Sequence, residues 1–145
     1  MRINFYNIVI LLVMGLFLLD FKENLSSGIS EELVPFLALW EKDTGITVHL
    51  RTIRLGELKE GIAGTCWILN RKIIIDKDVW DRSDFYSRKE LLYHELGHCV
   101  LLRMHNNSTF QNGCPKSIMY DTMFSTEQLR CYINNESYYI EELLK

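Results

Sequence analysis

The sequence predicts one α+β domain, residues 29–145, behind an N-terminal targeting segment, residues 1–28. Three observations point there. A helix-period stretch at 30–44 is followed by period-two strands and a tight hairpin, a second long helix follows, and an apolar run stands near the start of the chain. A length of 145 residues suits one domain with a core of its own and is short for two. With 48% hydrophobic and 24% charged residues and only two prolines, the composition is globular. A net charge of −3 excludes a protein held to nucleic acid by its charge.

In the targeting segment, Arg2 supplies a positive start and Ile8 to Leu19 is an unbroken apolar run of twelve. That suits an export signal and is short for a spanning helix, which needs about 20 residues. Reaching back to Ile3 through Phe5 and Tyr6, across Asn4 and Asn7, brings the run closer to a membrane anchor. Ser26-Ser27-Gly28 is the best small-residue cleavage site. A cleaved signal and an uncleaved anchor both place the domain outside the cytoplasm, whether secreted, periplasmic or membrane-anchored. Any membrane contact would run through that anchor. Cys66, Cys99, Cys114 and Cys131 are an even number in an exported chain, which favours disulfides, and none forms a CxxC pair. Three pairings are open. We favour Cys114–Cys131, closing a loop around SIMYDTMF, with Cys66–Cys99 tying a strand to a helix.

The elements follow in order. Ser30 with Glu31 and Glu32 opens a helix that presents Leu33, Phe36, Leu37 and Trp40 on one face, tolerates Pro35 in its early turns and ends at Gly45. ITVHLRTI (46–53) alternates apolar and polar residues as a half-buried strand does, with His49 on the exposed phase. TCWIL (65–69) and KIIID (72–76) form a hairpin about Asn70-Arg71. Ser87 and Glu90 stand at capping-box spacing before a helix that runs to about Arg103. Trp40, Trp67 and Trp80 read as core or rim packing. Tyr138, Tyr139, Ile140, Leu143 and Leu144 read as a closing amphipathic segment.

The second helix carries the chemistry, in HELGHCVLLRMH (94–105). His94 and His98 lie one turn apart on one face, so their imidazoles can converge on a single ion. Glu95 projects beside them, able to touch a water on that ion without ligating it. Hydrolysis by zinc needs this set: two histidines, a third ligand, an open position for water, and a carboxylate to move the proton. HExxH alone recurs by chance, and its place in mid-helix in an exported chain strengthens it.

HELGH with a following histidine, and SIMY at 117–120, resemble the metzincin clan of zinc endopeptidases over roughly residues 45 to 130. That clan runs HExxHxxGxxH and places a methionine turn beneath the metal. Aligned on His94 and His98, the glycine position holds Leu101 and the third-histidine position holds Met104. His105 comes one residue late, and slipping the frame puts Leu102 at the glycine position. Asn106 and Asn107 could take the left-handed turn that brings His105 round. Met119 with Tyr120 resembles the matrixin form of the turn, with Asp121 where proline is usual.

The resemblance implies a small metzincin-like zincin domain, matrixin-like or of the small secreted bacterial type, with a mixed twisted sheet, an active-site helix and a C-terminal helical segment. It implies a Zn²⁺ cofactor held by His94, His98 and His105, Glu95 as general base and Met119 as the floor of the site. Tyr120 is a candidate to support the transition state. The substrate would be a peptide or protein, laid along TCWIL or KIIID as an edge strand. Two alternatives stay open. A gluzincin-like site would take its third ligand from Glu127 or Glu136, and a non-catalytic exported module would use zinc structurally or not at all.

Overall fold

In the computed structural model, residues 28–145 are described. The targeting segment read at 1–28 lies outside the described residues except for Gly28. A 3₁₀ turn, Glu31–Leu33, leads into α1, Val34–Thr44, with Pro35 in its first turn. Leu33, Phe36 and Trp40 face the core and Leu37 is half-buried, as the helical spacing requires. Gly45 ends the helix at φ +71°, its N–H donating to Glu41 O at 2.8 Å.

Three strands follow: β1, Thr52–Gly56, β2, Gly64–Trp67, and β3, Lys72–Asp76. Their order is β1-β3-β2, with β1 parallel and β2 antiparallel to β3. The mixed sheet explains two departures from the sequence reading. The strand expected at 46–53 starts instead at Thr52, because its ladder exists only where β3 supplies a partner, from Thr52↔Lys72 to Gly56↔Asp76. The hairpin turn takes four residues, 68–71, and closes with Arg71 N–H donating to Ile68 O at 3.1 Å, while Arg71 takes φ +51°. Ile68 and Leu69 therefore belong to the turn, and Leu69 is 98% exposed. Ile73, Ile74 and Ile75 are all buried, as befits a central strand.

A short helix that the sequence reading passed over, α2, Lys77–Arg82, is capped by Asp76, whose carboxylate accepts from Val79 N at 3.0 Å and Leu58 N at 2.9 Å. Both bonds hold that carboxyl below its usual range. The long helix α3, Phe85–Cys99, crosses behind the sheet. Ser87 and Glu90 do not form its capping box. Asp84 accepts from Ser87 N at 2.8 Å and caps the helix first, which leaves Glu90 to turn inward. The chain ends in α4, Thr126–Asn134, opened by a Ser125–Gln128 capping box, and α5, Glu136–Leu143. Tyr139, Ile140 and Leu143 bury the inner face of α5. Trp40 and Trp80 are in the core, whereas Trp67 is 41% exposed at the sheet edge, with the Lys72 ammonium 5.5 Å from its ring centroid. His49 is exposed, as expected.

This is an α+β arrangement with a three-stranded mixed sheet. Cys66–Cys99 joins β2 to the end of α3, and Cys114–Cys131 joins the loop after α3 to α4, with Cα separations of 5.7 and 5.9 Å. Two such bridges fit a protein that matures outside the reducing cytoplasm. Among the described residues no helix is long and apolar enough to cross a membrane. The bridges close loops of 33 and 17 residues. Replacing either cysteine pair by alanine is expected to cost about 3–4 kcal/mol, read as a fall in Tm on thermal unfolding. An unchanged Tm would show that the bridge is dispensable.

Candidate metal centre

His94 and His98 leave the same face of α3, and a main-chain carbonyl turns each ring. Ile118 O accepts from His94 Nδ1 at 2.9 Å, and Arg103 O accepts from His98 Nδ1 at 2.7 Å. A carbonyl can only accept, so both rings carry their proton on Nδ1 and their lone pair on Nε2. His105 joins them from the loop beyond the helix. The three Nε2 atoms lie 3.0 Å (His94–His98), 3.1 Å (His98–His105) and 3.3 Å (His94–His105) apart. Nitrogens at 2.0–2.1 Å from one tetrahedral ion would stand about 3.3 Å from each other. The two unprotonated nitrogens on α3 repel at 3.0 Å unless a cation sits between them. His94, His98 and His105 could therefore hold a metal ion. Burial lowers the pKa of His94 to about 4 and lowers that of His98, so both are neutral and free to ligate at pH 7.

The exit from α3 absorbs the displaced histidine. Leu102 adopts the left-handed conformation at φ +56°, and Arg103 N–H reaches back six residues to Gly97 O at 2.9 Å. That closure is one position wider than a Schellman bond, which runs from C″ to C3. The extra residue matches the single-residue delay of His105. The left-handed residue is thus Leu102, not Asn106 or Asn107, neither of which has positive φ. Those asparagines bind the loop to the methionine turn instead. Asn106 N–H donates to Met119 O at 2.7 Å. Asn107 Nδ2 donates to Asp121 Oδ2 at 2.9 Å and Asn107 Oδ1 accepts from Asp121 N at 3.0 Å. An aspartate at 121 is what this clasp requires.

Met119 is fully buried against α3. A Cβ at position 97 would fall 2.4 Å from Met119 Sδ, so the glycine of HELGH is what lets the turn come this close. Ser117 Oγ accepts from Met119 N at 3.0 Å and donates to the Glu142 carboxylate. Glu142 Oε1 also takes Arg103 Nη2 at 2.7 Å, while Arg103 Nη1 donates to the carbonyls of Glu142 and Leu143 at 2.7 and 2.8 Å. The end of α5 therefore anchors both segments whose carbonyls orient the two helical imidazoles.

Glu95 is 4% exposed and packs under the sheet edge. A Cβ on Gly64 of β2 would lie 2.7 Å from Glu95 Oε1, so any larger residue there would force the Glu95 side chain to move. Burial raises the Glu95 pKa to about 7. A cleft of about 1110 Å³ runs along the site between the β2 side, including Ala63 to Cys66, and the helix face of His94, Glu95 and His98. Leu102 to His105 and Asp121 to Met123 complete its walls. On its outer side β2 has no strand beside it among the described residues. The edge strand is therefore the TCWIL segment, and KIIID is central.

Tyr120 is half-buried, its ring meeting Phe124 edge-on at 6.5 Å, and it does not contribute to the cleft wall. Glu127 is exposed at the start of α4, where it accepts from Ser125 Oγ at 3.2 Å. Glu136 pairs with Lys89. Neither joins the histidine cluster. The sequence reading missed Gly64, Arg103 and Glu142. Gly97 offered a signal as the one glycine of the helix, whereas the Arg103–Glu142 contact spans 39 residues and left none.

Leu102 is 64% exposed, so its side chain contributes little packing. Leu102→Gly should relieve left-handed strain and gain about 0.5–1 kcal/mol net of chain entropy. The readout is a Tm higher by a few degrees at unchanged metal stoichiometry. A lower Tm would mean that leucine packing outweighs the strain. For the third ligand, His105→Ala is expected to lose bound metal in elemental analysis after dialysis, whereas Glu127→Ala keeps it. The opposite result would move the ligand downstream.

Comparison of the chain with protein-family models, curated proteins and solved structures gives no match in any of the three.

Proposed function

We propose that the protein is an exported zinc endopeptidase of metzincin type, cutting peptide bonds in peptide or protein substrates. The observation that carries this reading is the convergence of three imidazole Nε2 atoms beside a buried carboxyl, in a cleft walled by an unpaired strand edge. Three imidazoles suit zinc and leave a position open. Zinc bound there would polarise the scissile carbonyl and make a water acidic enough to react.

The remaining work falls to the chain. Glu95 takes the proton of the attacking water and passes it to the leaving amine, and a carboxyl raised to about 7 is well matched to both transfers at neutral pH. The free edge of β2 can pair main chain to main chain with an extended peptide. Gly64 brings that edge down onto Glu95, and Cys66–Cys99 fixes the distance between strand and helix. Met119 packs against Gly97, between the two helical histidines in sequence, and is closed to water. Tyr120 packs against Phe124 and does not line the cleft.

A non-catalytic zinc module is the second reading, and the buried Glu95 speaks against it. Burying a carboxyl costs stability, and a purely structural ion has no use for it. The engagement of Glu127 with Ser125 and of Glu136 with Lys89 speaks against a gluzincin-like site.

Glu95→Gln is expected to retain zinc and to lower kcat/KM by about 10²–10⁴, and unchanged cleavage would refute the proposal. Gly64→Ala should also keep zinc while displacing Glu95, lowering kcat on the order of tenfold or more; a normal kcat would free Glu95 from that role. A base must be deprotonated, so activity should rise with pH along an acid limb. The cation draws that limb below 7, and Glu95→Gln abolishes it. In metal-free protein the raised Glu95 pKa means that folding stability falls as pH rises from about 4.5 to about 7. The loss attributable to this group is up to about 3 kcal/mol. Chemical denaturation of Glu95→Gln across that window should show the fall reduced.

A further inference from the structure

Glu90 lies on α3 four residues before His94, hence one turn and about 6 Å along the helix axis. It is 1% exposed and forms part of the cleft floor. The main-chain N–H of Phe124 hydrogen-bonds its carboxyl, and Oε2 has no partner. Lys89, the cation next to it in sequence, is committed to Asp43 and Glu136. Its ionisable neighbours are Glu95 along the helix, whose charge opposes its own, and Tyr132 on α4, whose buried hydroxyl also lacks a partner. A buried acceptor without a partner costs stability by burial alone. Capping does not explain it either, because Asp84 holds that role.

We propose that Glu90 is the specificity-determining residue of the cleft and selects substrates with lysine beside the scissile bond. This rests on the peptidase reading above. A lysine side chain has a four-carbon stem long enough, at about 6 Å, to span the turn between the ion site and Glu90. The stem would lie along the cleft floor, and the ammonium would supply the donor that Oε2 lacks. Arginine fits less well, since its fork seeks two acceptor oxygens and Phe124 already occupies the carboxyl. Burial, with the Glu95 charge adding to it, lifts Glu90 to about 8, and an arriving ammonium would pair with the ionised carboxylate, its proton passing to water.

Two measurements test this on the zinc-loaded protein. The first is mass-spectrometric profiling of cleavage in a peptide library cut from denatured protein by a glutamate-specific protease. Lysine should be enriched about tenfold at one position flanking the cut bonds. Glu90→Gln should return it to background, and Glu90→Leu should replace it with leucine and methionine. The second uses the Glu95→Gln variant to compare binding of two peptides that differ only as lysine against norleucine. The lysine peptide should bind about tenfold tighter, and adding Glu90→Gln should erase the difference. Glu90→Gln keeps the shape of the side chain and Glu90→Leu removes its polar atoms, so the Tm of each is measured to show that it folds, and Glu90→Leu serves if Glu90→Gln fails to fold. Cleavage without lysine preference, or a preference that survives both variants, overturns this inference and leaves the peptidase reading standing. Absence of any Glu95-dependent cleavage overturns that reading, and this inference with it.

Discussion

The two hydrogen bonds from imidazole Nδ1 to the carbonyls of Ile118 and Arg103 fix where the lone pairs of the site point. A helix can bring two imidazoles to one face, but it cannot choose their tautomers. That choice is made by oxygen atoms on other segments, and such partners orient a ligand and raise its basicity. The site is therefore as rigid as the loops that carry those oxygens. Those loops are tied to each other by Asn106 and Asn107, and to α5 by Ser117, Arg103 and Glu142. Every bond in this set acts on the imidazole nitrogens through a second residue.

Solvation is the opposing constraint. Burial pushes His94 down and Glu95 and Glu90 up, so three ionisable groups on one helix are held away from their charged forms. A cation among the histidines and a donor in the cleft would relieve this. The surrounding packing holds the groups in place in the meantime. Leu91, Leu92, Tyr93 and Leu96 are buried on the core side of the same helix, and Cys66–Cys99 holds β2 against it. Apolar burial of that extent contributes on the order of 1.5–3 kcal/mol per side chain, enough to offset one strained carboxyl but with little to spare for several.

Much of this was legible in the sequence, and the boundary of legibility is physical. Local pattern located α1, the hairpin, α3 and the HExxH face, because each rests on periodicity within a few residues. Strand limits failed at 46–53, since a ladder is defined by its partner and the partner is β3. The capping box at Ser87 and Glu90 failed because Asp84 competes for the same N–H, a contest that spacing alone cannot decide. The position of His105 could be suspected, but not the leucine that turns the chain toward it. Left-handed backbone at a non-glycine residue is invisible in composition and is held here by contacts made further along. Gly64 and Glu142 were out of reach for the same reason, as their partners lie 31 and 39 residues away.

The anchoring of the site by α5 has a consequence in the order of synthesis. Residues 94 to 105 leave the ribosome well before Glu142, so the histidines are made long before the helix that secures their supporting loops. During elongation the imidazoles have their helix but lack the grip on Arg103 and Ser117. The centre is thus completed only once Glu142, 39 residues after Arg103, has been made. Until then the nascent chain carries the three histidines without the frame that aligns them.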